Sequence, residues 1–192
     1  MRDLNEVFID GVSLKEILEK HEKWVRNEKG GKKAVLCGKD LSGIDFGIFT
    51  SLSMIDFRNS NLEGADFSWT SLEGADFSEA NLLEAEFNCA DLTGAFFTKA
   101  ELDYANFNDA CLERALLNGA SLREACLDGA RLESAFLRGV DFYNSDLKST
   151  NLKNADLTNA DLSYVDLEGA DLRGCIIDGI CLDFAKIKDT KF

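Results

Sequence analysis

From Leu52 to Phe192 every fifth residue is Leu, Phe or Ile, giving 29 successive large apolar positions in one register with no insertion or deletion. Two places before each stands a smaller residue, most often Ala, as in Ala65-Asp66-Phe67 and Ala155-Asp156-Leu157. A helix has no use for this period: at 3.6 residues per turn each apolar position advances by about 140°, and the stripe winds around the whole helix. A flat strand has none either, because side chains alternate and an odd repeat points successive members to opposite faces. A chain that buries one large residue in five must turn a corner once per repeat, so the pattern predicts an all-β solenoid.

The Phe residues set the number of corners. Phe holds the large site at 57, 67, 77, 87, 97 and 107, and Leu holds it at 52, 62, 72, 82, 92, 102 and 112. A three-cornered coil stacks residues 15 apart and places Phe on Leu throughout. A four-cornered coil stacks residues 20 apart and sorts them, with Phe57, Phe77 and Phe97 on one side and Phe67, Phe87 and Phe107 on the opposite side. In-register stacking favours like on like, which selects four sides. The corners carry suitable residues: nine of the 15 Gly fall two places after the large residue, where a type II turn needs positive φ. Asp, Asn and Ser before the large residue bond nearby backbone in such turns. Pro, which would remove a donor from the ladder between coils, is absent.

The first 33 residues break the pattern. Val7-Phe8-Ile9 reads as a short strand, and Ser13 with Glu16 reads as a capping box opening a helix. Leu14, Ile17, Leu18, His21, Trp24 and Val25 then share one helical face, and Gly30-Gly31 is the expected stop. An open coil exposes apolar side chains and strand edges, so this segment is expected to cap the first coil. The same amphipathic helix has an alternative reading as a partner- or membrane-docking element. Leu36, Leu41 and Phe46 are repeat-like but one residue out of register with the main array. The extra residue is expected as a bulge near Gly47-Ile48-Phe49. The expected organisation is a capping segment over 1–33 and a repeat array over 34–192, about eight coils and roughly 38 Å long at about 4.8 Å per coil.

The Ala-(Asp/Asn)-(Leu/Phe)-X-X pattern resembles the pentapeptide-repeat family over roughly four fifths of the chain. Leu14, Ile17-Leu18, His21, Trp24, Gly30-Gly31 and Ala34 also resemble a segment that precedes the repeats in some bacterial and phage members. The resemblance implies a right-handed quadrilateral β-helix.

Composition then narrows the chemistry. No apolar run approaches the length that spans a bilayer and no signal peptide opens the chain, so a cytoplasmic protein is expected, without membrane contact. The six Cys, at 37, 89, 111, 126, 175 and 181, include no pair 20 apart, so none stacks directly on another and reduced thiols are expected. His21 is the only His, and it lies on the apolar helix face where a packed side chain is expected rather than a general base. Metal-ligand spacings and glycine-rich phosphate loops are missing, and Asp recurs because the repeat demands it. The expectation is no enzyme, no cofactor and no metal.

What remains is the surface. Net charge is −14. The sides centred on Leu52, Phe57, Leu62 and Phe67 are called A, B, C and D. Side A carries five acids and five bases, side B five against three, side C eight against one, and side D eight against three. Adjacent sides C and D therefore hold −12 of the excess. The candidate acidic binding surface comprises Glu84, Glu101, Asp103, Asp141 and Asp161 on side C, with Glu86, Asp109, Asp128, Asp146 and Asp166 on side D. An anionic rod presents a field like that of duplex DNA. The fluoroquinolone-resistance members of the family are similar acidic rods that engage DNA gyrase as DNA mimics. The resemblance therefore implies a DNA-binding protein such as gyrase as one partner, with no direct binding of nucleic acid. This chain departs from them in having no insertion within its repeats and in keeping the repeat register as far as Phe192, where those proteins typically dimerise through a C-terminal helical or aromatic module. The first reading is a rigid protein-interaction scaffold with an unspecified partner, the DNA mimic is its alternative, and a solvated acidic face that serves only solubility is the plainer one.

Two apolar features complete the surface. On side B the outward site before the large residue reads Phe96, Leu116 and Phe136 on consecutive coils, a candidate interface stripe. At the far end Ile187 and Phe192 fall in a coil with no capping element after it, and a homodimer through the C-terminal end is expected, with the stripe as the alternative contact.

Overall fold

In the computed structural model, which describes residues 2–192, the repeat array is a four-sided coil. Each residue preceding a large one bridges in parallel to its counterpart 20 residues on, as in Asp56 to Asp76, Asp76 to Phe96 and Phe96 to Leu116. The bridges are isolated, not parts of continuous strands, because a corner every five residues leaves room for one paired residue per side. Around that residue the ladder is regular. The N–H of Asp76 donates back to the Ile55 carbonyl at 2.9 Å, and the N–H of Phe77 donates forward to the Phe96 carbonyl at 2.7 Å.

The large and small repeat positions both face the axis. Leu52, Phe57, Leu62 and Phe67 are fully buried, and so are Ala65 and Ala75 at the small sites. Burying each Leu or Phe contributes roughly 1.5–3 kcal/mol, so the interior column is the main source of stability. The Phe residues stack 20 apart: Phe77 on Phe97 at 4.9 Å and Phe87 on Phe107 at 4.8 Å between ring centroids, each pair nearly parallel. Across the interior the two columns meet edge to face, as Phe77 does Phe87 at 5.7 Å. From Met54 to Asp189 the corner residue two places after each large one is left-handed whatever its identity, as at Gly64 with φ 61° and Trp69 with φ 64°. The polar residue before the large one then caps the turn, Asp76 Oδ1 accepting from the Ser78 N–H at 3.0 Å.

The N-terminal segment folds over the first coil. Strands β1 (Phe8–Ile9) and β2 (Val12–Ser13) form an antiparallel hairpin. Its two turn residues, Asp10 and Gly11, both have positive φ, as the tightest hairpins require. Helix α1 (Leu14–Val25) follows, with Ser13 Oγ accepting from the Glu16 N–H at 3.3 Å. The helix stops before Gly30-Gly31: Asn27 takes the left-handed position after Arg26, which closes the helix. Gly31 has a different task, since it passes so close to the Trp24 backbone that no Cβ fits.

The register shift falls between Phe46 and Leu52, beside Gly47-Ile48-Phe49, as the sequence register requires. Val35, Asp40 and Asp45 bridge to partners 21 residues on, whereas Ser51 bridges 20 on. Phe49 occupies an ordinary small inward site, its N–H donating to the Phe46 carbonyl at 3.0 Å, so the additional residue is Thr50. Glu22 of α1 holds it there. Glu22 Oε1 accepts from the Thr50 N–H and Oγ1, each at 2.9 Å, and from the Ser51 N–H at 3.3 Å.

Candidate interaction surfaces

His21 belongs to the architecture. It is fully buried, its Nδ1 accepts from the Ala34 N–H at 3.0 Å, and its Nε2 lies 3.0 Å from the Ser53 carbonyl. Because Nδ1 accepts, the proton sits on Nε2 and the ring is neutral. Burial pushes its pKa down, against the opposing pull of the Ser53 and Leu52 carbonyls. Trp24 stacks on it at 5.5 Å. All six Cys are free.

The ten candidate acids divide by what they do locally. Asp141, Asp146, Asp161 and Asp166 each cap their own turn, accepting from the N–H two residues on. Three of these are also neutralised: Asp141 by Arg123 at 3.0 Å, Asp146 by Lys148 at 2.8 Å, and Asp166 by Lys186 at 3.0 Å and Lys148 at 3.5 Å. Asp166 is moreover buried. Burial opposes its ionisation, but Lys186, Lys148 and the Glu168 N–H outweigh that and hold its carboxyl below the usual range. Asp166 therefore braces its corner, with its charge answered by Lys186 and Lys148. Glu84, Glu101, Asp103 and Asp161 on side C and Glu86, Asp109 and Asp128 on side D make no ion pair among the described residues. These seven form the open anionic surface. Asp103 is anchored by Ser121 Oγ and the Arg123 N–H, whereas Glu84, Glu101, Asp109 and Asp128 stand exposed.

On side B, Phe96, Leu116 and Phe136 stack on consecutive coils, with Phe96 39% and Phe136 46% exposed. The flanking acids are answered within the chain, Asp76 by Arg58 at 3.6 Å and Asp156 by Arg138 at 3.1 Å, so the stripe is bordered by closed ion pairs. At the last coil Ile187 is 51% and Phe192 60% exposed, because no further coil covers that axial face in the structure.

The sequence pattern alone does not bring out the outward aromatic stacking at the corners. Trp69, Tyr104, Tyr164 and Phe184 all occupy left-handed corner positions and project outward. Tyr164 stacks on Phe184 at 4.9 Å and meets Tyr143 at 5.3 Å, while the Arg123 guanidinium lies 4.7 Å over the Tyr143 ring. The signal was available in the 20-residue spacing of Tyr164 and Phe184, both two places after a large residue.

Such a molecule is a capped β-solenoid whose interior is filled and whose recognisable chemistry lies on its faces. The repeats match the family model described as Pentapeptide repeats, in overlapping segments covering 48–79, 60–98, 80–119, 100–139 and 141–179. The chain belongs to this family, and the right-handed β-helix comes with that membership. Among solved structures it is similar to HetL, a pentapeptide repeat protein involved in heterocyst differentiation regulation from the cyanobacterium Nostoc sp. strain PCC 7120, with 26% identity, 94% of each chain covered and a TM-score of 0.31. It is also similar to trypsin-treated QnrB1, a plasmid-mediated fluoroquinolone resistance protein, with 17% identity, 80% of this chain and 89% of that chain covered, and a TM-score of 0.41. A pentapeptide repeat protein of the Arabidopsis thaliana thylakoid lumen shows 29% identity over 64% of this chain and 68% of its own, with a TM-score of 0.27. TM-scores this low carry no argument, and membership rests on the repeats. A comparison with curated proteins finds no match.

Proposed function

We propose that this chain is a non-enzymatic, cofactor-free interaction scaffold whose acidic half docks against a basic surface of a partner protein. The observation that carries the reading is the sorting of charge: −12 lies on two adjacent sides, and seven of the ten candidate carboxylates there are without an ion pair among the described residues. Ion pairs on sides A and B largely close on themselves, so the field points one way. Spread over about 38 Å, the excess is one charge per ~3 Å, about half the density of duplex DNA at one per ~1.7 Å. That density suits a DNA-binding protein such as gyrase, approached in the cytoplasm as a mimic of its substrate. A rigid ladder also presents the charges without an ordering cost on binding.

The test is capture of purified gyrase, and of DNA-binding proteins from lysate, at low and high salt with duplex DNA as competitor. Binding should fall steeply with salt and be displaced by DNA. Reversing Glu84, Glu101, Asp109 and Asp128 together should abolish it, and reversing four side A acids should not. Gyrase supercoiling left unaffected at tens of micromolar protein removes gyrase as the partner. Capture that ignores salt and survives the side C and D reversals removes the acidic half from the function.

A further inference from the structure

The cap and the first coil enclose a hollow that the acidic-surface reading does not use. Its volume is about 380 Å³, and its walls are Ile9 and Val12 of the hairpin, Ile17 of α1, and Val35 and Leu36 of the first coil. Val35 is 60% exposed, so nothing in the chain covers the floor. Volume and lining fall within the range of small-molecule sites, which are mostly apolar with a few convergent polar groups.

The charged groups here are mostly cationic. Lys20, Lys32 and Lys33 line the hollow, with Asp10 at the hairpin turn as the single acid. Lys20 is engaged by Glu16 at 2.6 Å. Lys33 lies 5.7 Å from the Trp24 ring centroid, and neither it nor Lys32 makes an ion pair among the described residues. In a chain of net charge −14, unpaired ammonium groups gathered on an apolar hollow are out of keeping with the rest of the surface.

A backbone donor joins them. Residues in the bridging position send their N–H toward the preceding coil, as Asp76 does to Ile55 and Phe96 does to Ala75, each at 2.9 Å. Val35 holds this position on the first coil, where no coil precedes it, and its N–H has no acceptor among the described residues. Two sides further on, the chain uses the same open edge itself: Arg2 bridges to Ile44, its N–H donating to the Gly43 carbonyl at 2.9 Å. The edge at Val35 is left open beside the hollow.

We infer that this hollow binds a small amphipathic carboxylate, a medium-chain acyl anion, with its head between Val35 N–H, Lys32 and Lys33 and its tail on Ile9, Val12 and Ile17. Charge complementarity selects an anion, the uncovered aliphatic floor selects a flexible hydrocarbon tail, and the enclosed volume limits its length. The site is independent of sides C and D.

Trp24 beside Lys33 supplies the readout, in a Trp69→Phe background that leaves it the sole tryptophan. Titration with octanoate should change Trp24 emission saturably, in the range of about 0.1–1 mM. Affinity should rise about fourfold for each CH2 added from hexanoate to octanoate. Lys32→Glu with Lys33→Glu should weaken binding at least tenfold, and Val35→Asp should do the same; both alter exposed positions, and an unchanged melting temperature verifies the fold. Octanamide or octyltrimethylammonium binding as tightly as octanoate overturns the proposal. So does acetate binding as tightly as octanoate, or octanoate affinity that the lysine reversals leave unchanged.

Discussion

His21 makes the joint between cap and coil sensitive to acid in a way that is calculable in sign. The neutral ring uses both nitrogens, accepting from Ala34 and donating to Ser53 across 32 residues of sequence. Protonation turns the Nδ1 acceptor into a donor facing the Ala34 N–H, so that bond is lost inside a fully buried site. Burial is the largest influence and lowers the folded pKa below the usual His value near 6.5, with Lys33 adding to it and Glu22 opposing. A depressed folded pKa means that the unfolded state takes up the proton first as pH falls. The stabilisation from His21 is therefore full above about pH 6.5 and declines below it, by at most about 1.4 kcal/mol per pH unit, until the folded pKa is reached. His21→Ala should cost about 2–6 kcal/mol at pH 7.5, since it leaves the Ala34 N–H and the Ser53 carbonyl unpaired, at about 1–3 kcal/mol each. The assay is urea unfolding of the cap followed by Trp24 emission in a Trp69→Phe background, repeated between pH 7.5 and 5. Because this is the only His, the slope in that window should vanish in the variant. A wild-type midpoint that stays flat from pH 7.5 to 5, or a slope that persists without His21, would refute the argument.

Packing and assembly give two further expectations. Leu117→Ala should open a cavity costing about 2–5 kcal/mol and Ala115→Leu should overpack the coil by about 1–3 kcal/mol, since both side chains are fully buried; unchanged denaturant midpoints for the pair would contradict the inward assignment. Sedimentation should show a twofold dimer through the axial face of the last coil, which Ile187→Lys with Phe192→Glu converts to monomers; dissociation by Phe96→Ser with Phe136→Ser instead would place the contact on the stripe.

The repeat array was legible because its constraints are local and periodic. One large residue in five, the Phe spacing of 20 and the corner glycines each impose the same coil, so the inward and outward assignments of Leu52 to Phe192 required no knowledge of distant contacts. The capping helix was legible for the same reason, through its apolar face and Ser13. The candidate surface was legible only in part. Sequence counted the carboxylates on sides C and D, but Asp141, Asp146 and Asp166 are spent on neighbouring coils, and that depends on which Lys or Arg rotamer reaches them. The sequence register confines the additional residue to the stretch between Phe46 and Leu52, but that it is Thr50 is decided by Glu22, 28 residues earlier in the chain, which binds it there. The full burial of His21 and the hollow beside Val35 arise where three elements meet: the hairpin, the helix and the first coil. Periodicity determines what each repeat does; only the tertiary structure decides what happens where the periodicity ends, because there the contacts are single, long-range and unrepeated.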